Sequence, residues 1–173
     1  ITHQLCRQDD EHGLLWRVSV AEVASDGPFS RFDNIDRVIM LLDGAGFSLM
    51  GVGDNPQLLA THLAPFSFAG ETPILCSLIN GAVRDFNLMT RRGALTAALE
   101  VLTLNSEAQL LPLGEQTIIF VAKGGVDAAV NGQCFTLDTE HSLLLHNEKG
   151  TLLLSGSSGA KLVYIRLDAA KQP

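Results

Sequence analysis

Short apolar segments that end in glycine, aspartate or asparagine recur along the chain at intervals of about ten residues. The first half contains WRVSVAEVA (16–24), RVIMLLDG (37–44), GFSLMGVG (46–53), TPILCSLING (72–81) and AVRDFNLM (82–89). The second half contains TIIFVAKGG, DAAVNG, QCFTL, HSLLLHNE, TLLLSG and AKLVYIRLD. This pattern predicts an all-β sandwich or barrel, and the sixteen glycines fit its many tight turns. The segment LTAALEVLTL (95–104) fits either a helix or a strand, and we predict a strand.

An internal repeat divides the chain into two copies. The spacing from Gly44 to Gly51 recurs from Gly125 to Gly132, at an offset of 81 residues, and each pair follows an apolar strand. Further on, GAVRDFNLM (81–89) aligns with GAKLVYIRL (159–167) at an offset of 78. Two copies of about 80 residues each predict two small β-barrels or double-sheet jelly rolls. We place them at residues 1–92 and 93–173 and expect them to pack as one compact unit.

The composition excludes several classes of protein. A chain of 173 residues that is 46% hydrophobic can build its own core. The net charge of −7 argues against nucleic-acid binding, which needs clustered Lys and Arg. No apolar run reaches the ~18 residues of a membrane span, so we expect no membrane partner. Three widely spaced cysteines give no disulfide framework, and the polar start ITHQLCRQDDEHG does not resemble a signal peptide, so we expect a cytoplasmic protein.

The histidines and motifs give no sign of a metal or cofactor. The five histidines include no HxH pair, and His141 and His146 lie five residues apart, facing opposite ways if they share a strand. The sequence contains no GxSxG, no P-loop and no GxGxxG after a strand. We therefore predict no metal and no cofactor, and we assign no catalytic residue.

One apolar strand carries polar residues at its centre. Because strand side chains alternate between faces, Asp85, Asn87 and Met89 share one face of AVRDFNLM, while Arg84 shares the other face with two apolar residues. Buried polar groups need partners, so the pair either bonds neighbouring strands or faces a wet pocket. The aligned second strand has an apolar centre, which predicts a pocket in the first barrel only.

Arginine is concentrated in the first half of the chain. Residues 1–92 hold seven arginines and no lysine, whereas residues 93–173 hold one arginine and four lysines. Arginine suits bidentate contact with a carboxylate, so the first half either carries a site for an anionic group or forms surface salt bridges. The loop SDGPFSRFDNIDR adds Phe29 and Phe32, which serve as anchors for the loop or as an apolar wall.

Two long segments resemble the signatures of the HutD/Ves family of bacterial proteins. WRVSVAEVASDGPFSRFDNIDRVIMLLDGAGFSL matches its W-R-x-S-x-A, D-G-P-F-S-x-F and D-R-x-x-x-L-L-x-G-x-G-F-x-L elements. PFSFAGETPILCSLINGAVRDFNLMTRR matches the second signature, which ends in D-F-N-L-M-x-R-R. The family's motif positions correspond here to Trp16, Arg17, Ser19, Asp26, Gly27, Phe29, Ser30, Phe32, Arg37, Phe66, Gly70, Asp85, Asn87, Met89, Arg91 and Arg92.

The resemblance implies a bicupin, with two cupin-like jelly-roll barrels of the RmlC type in one chain. It also implies a role in histidine utilisation. HutD proteins are encoded with the enzymes that degrade histidine through urocanate and formylated intermediates. They are thought to bind a pathway intermediate and to restrain induction, whereas the Ves branch is linked to environmental stress. The D-F-N-L-M ending favours the HutD branch.

We therefore predict a regulatory protein that binds a small carboxylate, of the urocanate or formylated-glutamate type, in its first barrel without metal. Arg17 would clamp the carboxylate, Ser19 and Asn87 would hydrogen-bond to it, and Asp85 would accept from a ligand N–H or orient an arginine. Phe29 and Phe68 would form apolar walls. The predicted ligand-binding residues are Arg17, Ser19, Phe29, Ser30, Phe68, Asp85, Asn87 and Met89.

Three alternatives remain open at this point. A cofactor-free hydrolase or isomerase acting on the same intermediates would use Asp85 as a base. A stress-related protein of the Ves branch would share the same fold. A protein–protein regulator would use the pocket only structurally. A homodimer formed through exposed barrel edges is a further expectation, because edge strands must be covered.

Overall fold

The computed structural model describes residues 1–105 and 107–170, and every regular element in these ranges is a β-strand. The chain divides into two units, the first unit Ile1–Ala94 and the second unit Leu95–Pro173. The predicted all-β class is therefore confirmed. The predicted strand at 95–104 is also confirmed, as Leu95–Thr103. Within the described ranges, no helix is long and apolar enough to cross a membrane.

The first unit pairs two antiparallel sheets. Its strands are β1 (Thr2–Asp10), β2 (Gly13–Val23), β3 (Gly27–Pro28), β4 (Ile35–Asp43), β5 (Phe47–Met50), β6 (Gln57–Leu59), β7 (Phe66–Ala69), β8 (Leu75–Leu78) and β9 (Val83–Arg91). One sheet has the order β1-β2-β9-β4-β7 and the other has the order β3-β8-β5-β6. Side chains such as Ile39, Phe47 and Cys76 form the core between these sheets.

The second unit repeats this plan. Its strands are β10 (Leu95–Thr103), β11 (Gln109–Pro112), β12 (Gln116–Lys123), β13 (Val126–Val130), β14 (Gln133–Leu137), β15 (Ser142–His146), β16 (Thr151–Gly156) and β17 (Lys161–Ala169). The sheet orders are β10-β17-β12-β15 and β11-β16-β13-β14. Apart from β1, each strand of the first unit has a counterpart at the same sheet position, which confirms the internal repeat.

The alignment of the two copies from sequence is wrong by one residue. A register shift interrupts β4 after Leu41 and interrupts β12 after Val121, so these two residues are equivalent. Leu41 pairs with Asp85, and Val121 pairs with Leu162. The offset between β9 and β17 is therefore 77 rather than 78, and between β4 and β12 it is 80 rather than 81. A one-residue slip exchanges the two faces of a strand, so it changes every side-chain comparison between the copies.

With the corrected register, Asp85 corresponds to Leu162 and Asn87 corresponds to Tyr164. Both counterparts are buried in the core of the second unit. In the first unit the same inward face carries the polar pair, alongside the core residues Ile39 and Leu41. The predicted difference between the copies, a polar pair facing apolar counterparts, is therefore present. The offset of 78 is wrong, however, because it pairs Asp85 with Val163 and Asn87 with Ile165.

Candidate functional site

The first unit contains a cavity of about 590 Å³ that opens on the inward face of its five-stranded sheet. Strands β2, β9 and β4 supply its floor, and the segment from 24 to 30, which includes β3, supplies much of its rim. This cavity, the basin, is lined by both polar and apolar residues. A small organic ion fits a site of this size, because ligand pockets range over about 300–1,000 Å³.

Strand register explains why the polar residues meet in the basin. Arg17, Met89, Arg37 and Phe68 stand side by side on β2, β9, β4 and β7. Two residues further along the strands, Ser19 lies beside Asn87, and two residues beyond that Ala21 lies beside Asp85. Because side chains alternate, these three rows point to the same face. Residues distant in sequence therefore converge on one floor.

Arg37 is 6% exposed, and several neighbours contact its guanidinium. Its Nη2 donates to Asn87 Oδ1 at 2.7 Å, and its Nη1 lies 3.4 Å from the Ser30 carbonyl. The guanidinium carbon lies 4.9 Å from the Phe68 ring centre and 5.6 Å from the Phe29 ring centre, in cation–π geometry. Burial lowers the Arg37 pKa to about 10, while the charge of Asp85 opposes that change. Arg37 therefore stays charged at neutral pH.

Arg17 lies on the opposite side of Met89 and has a less complete set of partners. Its Nη2 donates to the Met89 thioether sulfur at 3.1 Å, which is a weak acceptor. Its guanidinium carbon lies 5.3 Å from the Phe32 ring centre. Burial, and then the charge of Arg7, lower the Arg17 pKa. The buried Nε atoms of Arg17 and Arg37 both lack a hydrogen-bond partner among the described residues.

Asp85 supplies a negative charge at the other end of the floor. It is 1% exposed and accepts a hydrogen bond at Oδ1 from the Asn87 amide nitrogen. Asn87 thus joins Arg37 and Asp85 in a continuous chain of hydrogen bonds. Burial raises the Asp85 pKa to about 7, against the opposing effects of the Arg37 charge and the Asn87 hydrogen bond. Asp85 therefore changes charge near neutral pH.

The aromatic rim is fixed by backbone hydrogen bonds. The Phe29 N–H donates to the Ile74 carbonyl at 3.0 Å, and the Phe32 N–H donates to the Gly70 carbonyl at 2.9 Å. A Cβ at Gly70 would lie 2.6 Å from the Phe32 carbonyl oxygen, so this close approach requires glycine. Phe29 and Phe32 both line the basin. They are therefore loop anchors and cavity walls at once.

Most of the residues predicted for the site are brought together here. Those that line the basin are Arg17, Ser19, Phe29, Ser30, Asp85, Asn87 and Met89. Phe68 is not among the lining residues, because its ring is buried in the core of the unit and supports Arg37 from below. Arg37 lines the basin but was absent from the predicted site, although it was recognised as a motif residue. Its inward position in RVIMLLD, in step with Ile39 and Leu41, was the signal that could have identified it.

The donor set of the basin suits an anion better than a metal cation. Across residues 1–105 and 107–170, no three His, Cys, Asp or Glu side chains are grouped so that they could hold a metal ion. The carboxylates that line the basin are the buried Asp85 and the exposed Glu22 and Asp26, and they lie beside the guanidiniums of Arg17 and Arg37. Two guanidinium groups would repel a divalent cation, whereas they attract carboxylates.

A family model and several related sequences point to the same family. The HutD family model matches residues 1–163. Protein Ves from Cronobacter sakazakii is 41% identical over 101 residues, which is 58% of this chain and 55% of that relative. An uncharacterised 21.2 kDa protein in the hutC 3′ region of Pseudomonas putida is 30% identical over 134 residues, which is 76% of this chain and 69% of that relative.

Solved structures agree with this result. HutD from Pseudomonas fluorescens SBW25 superposes with a TM-score of 0.85 at 26% identity, covering 98% of this chain and 89% of that one. A cupin 2 conserved barrel domain protein from Leptotrichia buccalis superposes with a TM-score of 0.64 at 9% identity, covering 96% of this chain and 88% of that one. The second likeness concerns the fold alone, and it confirms that the two barrels are of the cupin type.

Proposed function

The chain belongs to the HutD family, and from this membership and the geometry of the basin we propose that it is a small-molecule-binding regulatory protein of histidine utilisation. Its ligand is a carboxylate intermediate of that pathway, of the urocanate or formylated-glutamate type, held without metal in the first barrel. The relative in the hutC 3′ region of Pseudomonas putida supports the link to this pathway.

The observation that carries the proposal is the pair of incompletely bonded guanidiniums in one cavity. Arg17 and Arg37 both face the basin, and neither forms a salt bridge with a carboxylate among the described residues: Arg17 donates to the Met89 sulfur and Arg37 to the Asn87 amide oxygen. Elsewhere in this unit, Arg91 is bonded to the Asp10 carboxylate and Arg92 to the Glu71 carboxylate. A ligand carboxylate in the basin would give the Arg17 guanidinium a far better acceptor than the Met89 sulfur, because charge-assisted hydrogen bonds are strong.

Arg37 and the rings around it define one end of the binding site. Asn87 and the aromatic side chains hold the Arg37 guanidinium in place before any ligand binds. Little entropy is then lost when a carboxylate arrives, because the receptor is preorganised. The planar walls of Phe29 and Phe32 suit a flat or extended carbon skeleton, such as the propenoate of urocanate.

One observation favours a second candidate, a cofactor-free hydrolase or isomerase acting on the same intermediates. The Asp85 pKa is raised to about 7 by burial, and a general acid or base works best when its pKa lies near the operating pH. Asp85 faces the basin, so a bound molecule could come within its reach. Catalysis predicts conversion of the ligand, whereas sensing predicts binding without conversion.

Calorimetry with urocanate, histidine, formiminoglutamate and formylglutamate tests the proposed function. We expect at least one compound to bind below millimolar concentration. Arg17→Gln should weaken that binding by about ten- to a hundredfold, since hydrogen bonds to charged groups contribute about 1.5–3 kcal/mol. Arg31→Gln is the matched control, because Arg31 is exposed, lies outside the basin lining and donates to the Glu71 carbonyl. The Arg31→Gln variant should bind the compound with the same affinity as the wild type.

The same samples separate the two candidates. Proton NMR of each mixture over several hours should show unchanged compound if the protein is a sensor. Appearance of a product that is lost in Asp85→Asn would establish the enzyme instead. Binding of none of the four compounds, or full affinity in Arg17→Gln, would refute the proposed function.

A further inference from the structure

A buried carboxylate on the floor of an anion site is an unexpected arrangement. Asp85 lines the same basin as Arg17 and Arg37, and an ionised Asp85 would repel a carboxylate ligand. Asp85 also has no direct ion pair among the described residues, because its hydrogen bond comes from Asn87 and the Arg37 charge reaches it through that amide. The site therefore holds a negative group whose charge opposes the proposed ligand.

Asp85 is the buried carboxylate of the basin, whereas Glu22 and Asp26, which also line it, are exposed to solvent. Arg37 faces Asp85 from β4 and Arg17 lies further along the floor on β2, and both are guanidiniums that stay protonated. Cys76 faces it from β8, and burial raises the pKa of that thiol to about 11, with the charge of Asp85 adding to the effect. The amino group of Ile1 also acts on Asp85 and lowers its pKa.

Arg37 links the ligand to Asp85. Its positive charge favours the ionised form of Asp85, against the effect of burial. An anion bound to Arg37 cancels much of that charge in a partly buried site, where screening by water is weak. Protonation of Asp85 then becomes more favourable, and it also removes a like charge from the neighbourhood of the ligand.

We propose that the binding of a carboxylate in the basin is coupled to the uptake of one proton from solvent by Asp85. The inference rests on the proposed function and adds its regulation, since the protein would bind its ligand more tightly as the pH falls. Coupling between two sites is reciprocal, so a ligand that promotes protonation is itself bound more tightly by the protonated protein. No covalent bond is made or broken.

The direction and size of the pH effect follow from linkage. Asp85 in the free protein titrates near pH 7 because burial raises its pKa. A bound anion moves this titration to higher pH. Affinity is therefore greatest where free Asp85 is protonated, and it falls as the pH rises through that range. For each pKa unit of displacement, affinity should be about tenfold lower at about pH 9 than at about pH 6.

Formate is a suitable probe, because it is the smallest carboxylate and stays ionised over about pH 5 to 9. Calorimetry of the whole chain with formate, in two buffers of different ionisation enthalpy, counts the protons taken up. We expect up to about half a proton per formate near pH 7, because half of Asp85 is already protonated there. In parallel, the Asp85 carboxyl-carbon NMR signal should titrate at higher pH in formate than in chloride of equal concentration.

Two variants locate the proton. Asp85→Asn should bind formate with an affinity that no longer depends on pH, while Asp26→Asn, which removes an exposed carboxylate from the rim of the same basin, should keep the dependence. The NMR titration needs no variant, so it decides the matter even if Asp85→Asn fails to fold. An Asp85 titration that formate does not move would overturn the inference, as would an unchanged pH dependence in Asp85→Asn. The proposed function fails separately, if the pathway compounds do not bind.

Discussion

Replacing Asp85 with asparagine should remove a pH-dependent loss of stability from the first unit. Asp85 is 1% exposed, and burial raises its pKa from 3.8 to about 7 in the folded protein. The folded state therefore holds this proton more tightly than the unfolded chain does. Its stabilising contribution is complete below the unfolded pKa of about 3.9 and is lost as the pH rises through about 7.

The magnitude follows from the two pKa values. Integrating the linkage relation from about pH 5 to about pH 8 gives a loss of about 2.5 kcal/mol in the free energy of unfolding for this single group. Asparagine cannot titrate, so the stability difference between wild type and Asp85→Asn should change by that amount over the same interval. The absolute difference at one pH also includes the lost attraction between Asp85 and Arg37. The change in this stability difference between the two pH values reports only on the ionisation of Asp85.

Guanidinium denaturation at both pH values measures this change. Trp16 is the single tryptophan, lies buried in β2 of the first unit and donates to Gln8 Oε1 at 2.9 Å, so its fluorescence reports on that unit. Asp26→Asn is the control and should follow the wild-type pH dependence. If the difference between wild type and Asp85→Asn is the same at both pH values, Asp85 does not titrate near pH 7 and the reasoning fails.

Three further substitutions probe the construction of the basin. Arg37→Gln should move the Asp85 titration to still higher pH, because the Arg37 charge opposes the effect of burial, and carboxyl-carbon NMR measures this. Gly70→Ala should cost about 1–3 kcal/mol and also weaken formate binding, since its Cβ would press on the Phe32 carbonyl; denaturation and calorimetry measure both effects. Phe68→Ala should cost about 3–5 kcal/mol in denaturation, because a core ring that supports Arg37 is lost.

The all-β class and the repeat were predictable because turn residues and apolar alternation are local signals. Gly44 and its counterpart Gly124 both adopt positive φ angles, at 98° and 82°, so the sequence marks these turns directly. The exact register was not predictable in the same way. The turn between β4 and β5 spans residues 44–46, whereas its counterpart between β12 and β13 spans residues 124–125, so glycine spacing does not preserve the register between the copies.

The candidate site was predictable where polarity interrupts an apolar strand. Asp85 and Asn87 stood out for that reason, and both line the basin. Arg37 is absent from the predicted ligand-binding residues because it stands at the start of an apolar segment, where a charged residue usually marks the solvent end of a strand. Phe68 was predicted as a wall, yet its place behind Arg37 follows from pairing between β4 and β7, which is a tertiary feature.

One pair of equivalent carbonyl groups shows how the described parts of the two barrels differ at the position of the polar floor. Pro28 pairs with Leu75 in the first unit, and Leu110 pairs with Leu153 at the same sheet position in the second unit. Ser30 lies two residues after Pro28 and Pro112 lies two residues after Leu110, so Ser30 and Pro112 correspond. In the second unit the Tyr164 hydroxyl donates to the Pro112 carbonyl, and its ring is buried in the core.

In the first unit the counterpart of Tyr164 is Asn87, whose shorter side chain leaves the space of the ring unfilled. Nη1 of Arg37 approaches the Ser30 carbonyl instead, from the neighbouring strand, and Asn87 accepts from the same guanidinium. A buried guanidinium needs a counter-charge nearby, and Asp85 supplies it through Asn87. The polar strand and the cavity therefore have one structural cause: the absence of the ring opens the basin, and hydrogen bonds join Arg37, Asn87 and Asp85 in the space that remains.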